Sequence, residues 1–392
     1  MTTAPGRRAF LLLISSGAIA AIAMCSRVIQ VGVFLAAAGF RRLHSRQDQS
    51  RPGPRASEWV RLNPPKKTPQ EPASRVAITY HPWYQEFGVT QVAKCLEQAA
   101  DLGAGYIRSD VRWSDVIPDG WTPDDNAFDW YRAYFTSARD LYGLRPLIVL
   151  GEPPQSFKRL PAATGLAAWN FYIESVMARL GDLCDVYQVF NETNNPVYRI
   201  FPEDQAAIAL EAASETIRKH NPRSKIVVNM SVDLPNWNRT LTKLIAQNER
   251  AVDVIAIDYY PGTWSLRVGA DWSPIVNLAK EATPDSGVRL AGRAFAIMET
   301  GYATNMRGFR TEAQQKAYFD NLEQVTYNLN VALGPTMLPI IGIYELCDSN
   351  SSAFLDPEAH FGLLTSDLRR KSAFLSVQRL CSRFREVASD HK

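Results

Sequence analysis

Two apolar runs in this 392-residue chain each stop on a glutamate: Val189-Phe190-Asn191-Glu192-Thr193 and Ile297-Met298-Glu299-Thr300-Gly301-Tyr302. Glu192 and Glu299 are 107 positions apart. If each ends a parallel strand of one closed barrel, both carboxyl groups emerge at the same mouth. Two carboxyl groups facing each other across a cleft are the minimal equipment for cleaving a glycosidic bond.

The elements that would position them repeat along the chain. From residue 75 onward, short β-rich runs alternate with longer amphipathic stretches. Strands are expected at 76–80, 106–109, 145–150, 186–190, 225–229, 252–257, 294–298 and 340–344. Helices are expected at 90–102, about 127–142, 165–180, 202–220, 238–247, 274–281, 311–329 and 367–387. Strand-helix pairs in unbroken order imply a parallel sheet with right-handed crossovers, and eight pairs close it. The fold class is therefore α/β: a single (β/α)8 TIM barrel over residues 75–392, with no internal repeat and no second domain.

Residues with chemistry fall just after the expected strands, where such a barrel keeps its site. In strand order they are His81, Trp83 and Tyr84; Arg108, Asp110, Arg112 and Trp113; Glu152; Asn191 and Glu192; Asp233; Asp258, Tyr259 and Tyr260; Glu299; Tyr344 and Glu345. A barrel core needs Val and Ile along its strands and does not need polar groups at their ends, so the recurrence is informative. The turns hold aromatics, prolines and carboxylates instead of a glycine-rich phosphate loop, and no cofactor is called for. Cys25, Cys95, Cys184, Cys347 and Cys381 show no C-x-x-C spacing, which argues against zinc or another metal. Cys95 and Cys381 fall on the first and last expected helices, neighbours in a closed barrel. A disulfide between them and isolated buried thiols are both open.

Charge divides the chain. Residues 1–74 hold 11 Lys/Arg and 3 Asp/Glu, a balance of +8, which leaves 32 and 37 for residues 75–392, a balance of −5. A mildly acidic folded part argues against nucleic acid and suits a neutral ligand. Residues 1–40 read as a signal or membrane-anchor segment: Arg7-Arg8-Ala9-Phe10-Leu11-Leu12 leads into apolar stretches at 10–24 and 28–40. The Arg-Arg-x-Phe-Leu pattern resembles a twin-arginine export signal. Ala36-Ala37-Ala38 offers a cleavage site. An uncleaved anchor interrupted by Arg27 is the alternative. Residues 41–74, rich in arginine and proline, read as a disordered linker. The expectation is an exported monomer that meets the membrane through its N-terminal segment, or is released if the leader is cleaved.

The landmarks together resemble clan A of the glycoside hydrolases, the barrel enzymes that include families five and thirty-nine, over residues 76 to about 385. Ile107-Arg108-Ser109-Asp110-Val111-Arg112-Trp113-Ser114 resembles the clan's second-strand segment, and Asn126-Ala127-Phe128-Asp129-Trp130 the opening of the next helix. Asn191-Glu192 resembles its fourth-strand pair and Glu299 its seventh-strand glutamate. Phe361-Gly362-Leu363-Leu364, followed by Arg370-Lys371-Ser372-Ala373, resembles its final loop. The resemblance implies a retaining mechanism, with Glu192 as acid/base, Glu299 as nucleophile and carboxyl groups about 5–5.5 Å apart. It implies that Arg108 and Tyr260 hold Glu299, and that Asn191 binds the sugar hydroxyl next to the reacting carbon.

Each role has a competitor. Arg108 could pair structurally with Asp110 or Glu97, and Tyr260 could pack beneath a loop. His81 and Trp83 could be subsite residues or core filling. Glu152, before Pro153-Pro154, could belong to a turn or be a third cleft carboxylate. Glu345 could replace one of the pair. Two segments depart from the clan pattern. Strand six reads Asp258-Tyr259-Tyr260 where the clan often has His-x-Tyr. Strand eight reads Ile343-Tyr344-Glu345 without the usual tryptophan, so Tyr344 or Trp264 would stand in beneath the sugar. The expected function is retaining hydrolysis of O-glycosidic, β-linked bonds in a polysaccharide or oligosaccharide. Alternatives are a catalytically silent glycan-binding barrel of the cell envelope and a transglycosylase using the same glutamates.

Overall fold

The computed structural model of the chain describes residues 73–84, 88–235, 237–264, 270–281, 293–305, 310–334, 338–349 and 356–385. The expected signal or anchor segment lies outside the described residues, as does the linker up to residue 72. No helix among the described residues is long and apolar enough to cross a membrane.

Strands and helices alternate as β1 (Val76–Thr79), α1 (Val89–Leu102), β2 (Tyr106–Arg112), a short α2 (Trp113–Val116), α3 (Asp125–Tyr142), β3 (Arg145–Gly151), α4 (Ala162–Leu180), β4 (Val186–Val189) and α5 (Glu203–His220). They continue as β5 (Lys225–Ser231), α6 (Trp237–Gln247), β6 (Val254–Asp258), α7 (Ser273–Glu281), β7 (Ala294–Glu299), α8 (Glu312–Leu333), β8 (Ile341–Ile343) and α9 (Ala373–Arg383). All neighbouring strands pair in parallel, and β8 pairs back onto β1, so the barrel is closed. Helix ends follow local chemistry. Asp124 caps α3 by accepting from the amides of Asn126 and Ala127, and Thr311 with Gln314 forms a capping box on α8.

The expected alternation is observed, with shifted ends. β2 runs on through Arg112, and what the sequence suggested was loop contains α2. The last helix starts at Ala373 rather than at 367, because the chain first makes a turn there. Leu368 takes a left-handed φ of 67°, the Arg369 amide donates to Thr365 Oγ1, and Arg370 bridges Leu364. Of the two cysteine readings the structure takes the second, free thiols, and not a disulfide between Cys95 and Cys381. α1 and α9 are neighbours, joined by Gln378 Nε2 donating to the Asp101 carbonyl. Cys95, however, meets the chain leaving β8: its Sγ lies 3.4 Å from Cys347 Sγ, and Cys381 is a separate buried thiol.

Side chains alternate across a strand, so every second residue points into the barrel. The lower interior is an apolar plug of Ala77, Tyr106, Leu147, Val186, Val227, Val254, Ala256, Ala296 and Met298 among others. One step further along the same faces stand Thr79, Arg108, Gln188, Asn229 and Asp258, all buried. A polar layer therefore caps an apolar one, on the side where the strands end. A second, larger apolar cluster fills the space between the strands and the outer helices.

Beyond β8, the loops are tied down by a buried ion pair. Lys371 Nζ lies 2.8 Å from Asp348 Oδ1 and also donates to Thr304 Oγ1 and the His360 carbonyl, while Asp348 Oδ1 accepts from the Gly362 amide. Burial lowers the Lys371 pKa and raises that of Asp348. Removing one partner strands the other charge. Lys371→Met should therefore lower the unfolding free energy by about 3–5 kcal/mol in denaturant titrations, and adding Asp348→Asn should restore part of it. A single variant as stable as the parent would show that the pair does not fasten these loops.

Candidate active site

At the C-terminal mouth of the barrel a cleft is lined by His81, Arg108, Asp110, Glu152, Asn191, Glu192, Tyr198, Tyr260, Trp264, Glu299, Tyr344 and Glu358. The two glutamates that the sequence singled out share it.

Backbone irregularities aim both of them. Ile257 pairs with Ile297, but Asp258 pairs with Glu299, so Met298 is an extra residue in β7. The bulge turns Glu299 to the side on which Asp258 already stands, undoing the alternation that would have sent it outward. It also needs room: a Cβ on Gly342 of β8 would lie 1.9 Å from the Met298 carbonyl oxygen. After β4, Phe190 and Glu192 adopt left-handed φ values of 68° and 45°, as does Glu152 after β3 at 51°. Non-glycine residues hold such conformations only where the surroundings impose them. For Glu192 they do so through its amide, which donates to Asn229 Oδ1 at 3.0 Å.

Glu299 is gripped at both oxygens. Arg108 Nη2 lies 2.6 Å from Oε1, and the Tyr260 hydroxyl donates to Oε2 at 2.5 Å. The Tyr260 pKa is raised well above the ordinary value, by burial first and then by the Glu299 charge, so the phenol stays a proton donor. Arg108, 1 % exposed, also donates to Gln188 Oε1, Thr79 Oγ1 and Asn191 Oδ1. Its competing pairing with Asp110 or Glu97 gives way to Glu299.

Glu192 has a different environment. Among the described residues no Arg or Lys side chain pairs with it; Asn195 Nδ2 donates to Oε2 at 2.5 Å. Burial first, and then the charge on Glu299, push its pKa up to about 8, against the lowering effect of Asn195. The cleft therefore holds one ion-paired carboxylate and one carboxyl that keeps its proton at neutral pH, the division of labour that acid-assisted displacement requires.

Asn191 precedes Glu192 in the chain and shares Arg108 Nη2 with Glu299. Its Oδ1 accepts from Arg108 Nη2 at 3.3 Å, Gln188 Nε2 at 2.9 Å and Asn229 Nδ2 at 2.8 Å. With the carbonyl end occupied, the amide NH2 is left for the cleft.

Aromatic groups form one wall. Tyr260, Trp264, Tyr344 and Phe361 pack as a cluster with ring centroids 5.3–6.2 Å apart. Tyr344 and Trp264, expected to replace the missing tryptophan, both reach the cleft. His81 lines it too, its Nδ1 2.7 Å from Asp110 Oδ2 and its ring 5.8 Å from that of Tyr344. Trp83 stands beside the cleft rather than in its lining, 5.0 Å from the Arg112 guanidinium. Glu152 belongs to the turn after β3 and also lines the cleft, so its two readings are compatible. Glu345 is buried behind Tyr344, and the Tyr344-Glu345 peptide is cis.

Several lining or supporting residues escaped the sequence reading. Gln188 follows Val186-Tyr187 in β4 and Asn229 follows Ile226-Val227-Val228 in β5, and a polar residue interrupting an apolar run was the available signal. Asn195 belongs to the polar run after Glu192. Glu358, whose Oε2 accepts from the Tyr344 hydroxyl at 3.2 Å, and Tyr198 come from loops folding back over the mouth, and no local pattern marks them.

No family model matches the sequence, and no curated protein matches it. Solved structures do. A GH5_18 protein from Streptomyces cattleya, in complex with Manβ1-4GlcNAc, is 18% identical with a TM-score of 0.61, over 80% of this chain and 81% of that one. A family 39 glycoside hydrolase from Bacteroides cellulosilyticus is 20% identical with a TM-score of 0.58, over 80% of this chain and 64% of that one. An exo-β-1,4-mannosidase from an Opitutaceae bacterium is 15% identical with a TM-score of 0.60, over 81% of this chain and 62% of that one. The chain thus spans less than two thirds of the last two. At these identities the likeness is one of fold: the chain has the barrel shared by glycoside hydrolases of families 5 and 39, members of the clan its sequence resembles.

Proposed function

We propose that the chain is a retaining glycoside hydrolase of β-linked polysaccharide or oligosaccharide, with Glu192 as acid/base and Glu299 as nucleophile. The observation that supports this is the unequal setting of two carboxyls in one cleft: Glu299 fixed by Arg108 and Tyr260, Glu192 buried and proton-retaining. In the first step the Glu299 carboxylate bonds to the anomeric carbon while Glu192 gives its proton to the departing oxygen. In the second, Glu192, now the base, takes a proton from water as the oxygen attacks the same carbon and Glu299 leaves. Two inversions retain the anomeric configuration. The Asn191 amide donates to the hydroxyl next to the reacting carbon, and the wall of Tyr260, Trp264 and Tyr344 receives the apolar face of the ring.

A catalytically silent glycan-binding barrel is the less favoured reading. A site that only holds glycan gains nothing from placing a proton-retaining carboxyl beside an anionic one, an arrangement that costs free energy. A transglycosylase would use the same two groups and differ only in its acceptor.

Glu192→Gln should cost about 10²–10⁴-fold in kcat/KM on unactivated glycans, since it removes the general acid, yet keep turnover on aryl glycosides with good leaving groups. In the parent, kcat/KM should fall as pH rises through about 8, where Glu192 loses its proton, and the variant should lack that limb. A variant matching the parent on an unactivated glycan would remove Glu192 from the role.

The same proposal extends to residues 1–74. Their +8 balance and two apolar stretches support an exported enzyme tethered to the membrane. The full-length protein should sediment with membranes and resist a high-salt wash, since apolar burial is not screened by salt. Release by salt alone would rule the tether out.

A further inference from the structure

The two ends of the Asn191 amide have nearly the same shape, and turning it over would present an acceptor to the cleft instead of a donor. Part of what fixes it is another amide that could itself turn over, that of Asn229. Asn229 Nδ2 donates to Asn191 Oδ1 at 2.8 Å and to Asp258 Oδ2 at 2.5 Å, while its Oδ1 accepts from the Glu192 amide at 3.0 Å. Asn229 is 1 % exposed and Asp258 0 %. Reversing Asn229 would set its NH2 against the Glu192 N–H and its carbonyl against both Asp258 Oδ2 and Asn191 Oδ1. The chain of orientation thus ends on Asp258 Oδ2, which accepts from Asn229. Asp258 Oδ1 has no hydrogen-bond partner among the described residues.

We propose that Asp258 and Asn229 are positioning residues: together they keep the NH2 end of Asn191 toward the substrate. The proposal rests on the hydrolase reading above. It assigns a purpose to the acid that stands on β6 where the resembling enzymes often have histidine. Asp258 is not among the residues lining the cleft, and its hydrogen bond toward the site goes to Asn229. Burial, together with the charges on Glu299 and Glu192, raises its pKa well above the ordinary value. A neutral carboxyl still has a bare oxygen to offer Asn229, so the arrangement does not depend on its charge.

The test compares the aryl β-glycoside that the wild type cleaves best with its 2-deoxy counterpart. It is run in the wild type, Asp258→Leu, Asp258→Asn, Asn229→Ala and Asn191→Ala, with thermal melts to establish folding. Asp258→Leu and Asn229→Ala should lose about 10²-fold of the wild-type preference for the hydroxylated substrate, mostly in kcat, as expected when a transition-state contact is misplaced by about 1 Å. On the 2-deoxy substrate each should lose far less than on the hydroxylated one, and Asn191→Ala should show the same loss of preference. Asp258→Asn should keep most of the preference, because its carbonyl can still accept. A folded Asp258→Leu or Asn229→Ala that keeps the wild-type preference, or slows both substrates equally, would overturn the proposal while leaving the hydrolase reading intact. Should Asp258→Leu fail to fold, Asn229→Ala decides by the same criterion. A wild type inactive on every glycoside would remove the hydrolase reading, and the proposal with it.

Discussion

A guanidinium group buried on top of an apolar plug must be neutralised and hydrogen-bonded on every side, because a lone charge there costs many kcal/mol. Most of the site is the answer to that demand by Arg108. Glu299 supplies the opposite charge, and Gln188, Thr79 and Asn191 take further donors. The partners come from three strands: Thr79 from β1, Gln188 and Asn191 from β4 and its end, and Glu299 from β7. The ion pair therefore does more than fix one carboxylate. It ties opposite sides of the barrel mouth into one network, and the charge it places on Glu299 raises the proton affinity of Glu192 across the cleft.

That network explains why strain is concentrated at the strand ends. The left-handed residues Glu152, Phe190 and Glu192 and the bulge at Met298 lie at the ends of β3, β4 and β7. Regular strands alternate and would place Asn191 and Glu192, or Met298 and Glu299, on opposite faces. Turning successive side chains toward one cleft requires departures from regular geometry, and the polar layer below holds those departures in place.

Much of this was legible in the sequence, for identifiable reasons. The alternation of strand and helix follows from hydrophobic periodicity, which eight repeats make hard to miss. Arg108, Glu192, Glu299, Tyr260, Tyr344, Trp264 and His81 meet in the cleft because they follow strands whose ends must share one mouth. What could not be read was long-range or conformational. Glu358 reaches the cleft through a fold-back with no periodic signature. Cys95 finds Cys347 rather than Cys381, because adjacency of two helices does not say which faces meet. The last helix starts late because of a left-handed turn at Leu368. Asp258 read as a departure from the clan pattern, and its partner Asn229 was taken for part of a plain strand, so the link between them emerged only when β5 and β6 were placed side by side.

The central claim is that Glu299 forms a covalent bond to the sugar. A 2-deoxy-2-fluoro β-glycosyl fluoride slows both steps, but its good leaving group lets the first outrun the second, so the intermediate accumulates. Incubation with the protein, followed by proteolysis and mass spectrometry, should show one fluorosugar added to the peptide containing Glu299, and none in Glu299→Gln. An adduct on a different residue, or hydrolysis of the parent glycoside with inversion at the anomeric carbon, would contradict the account.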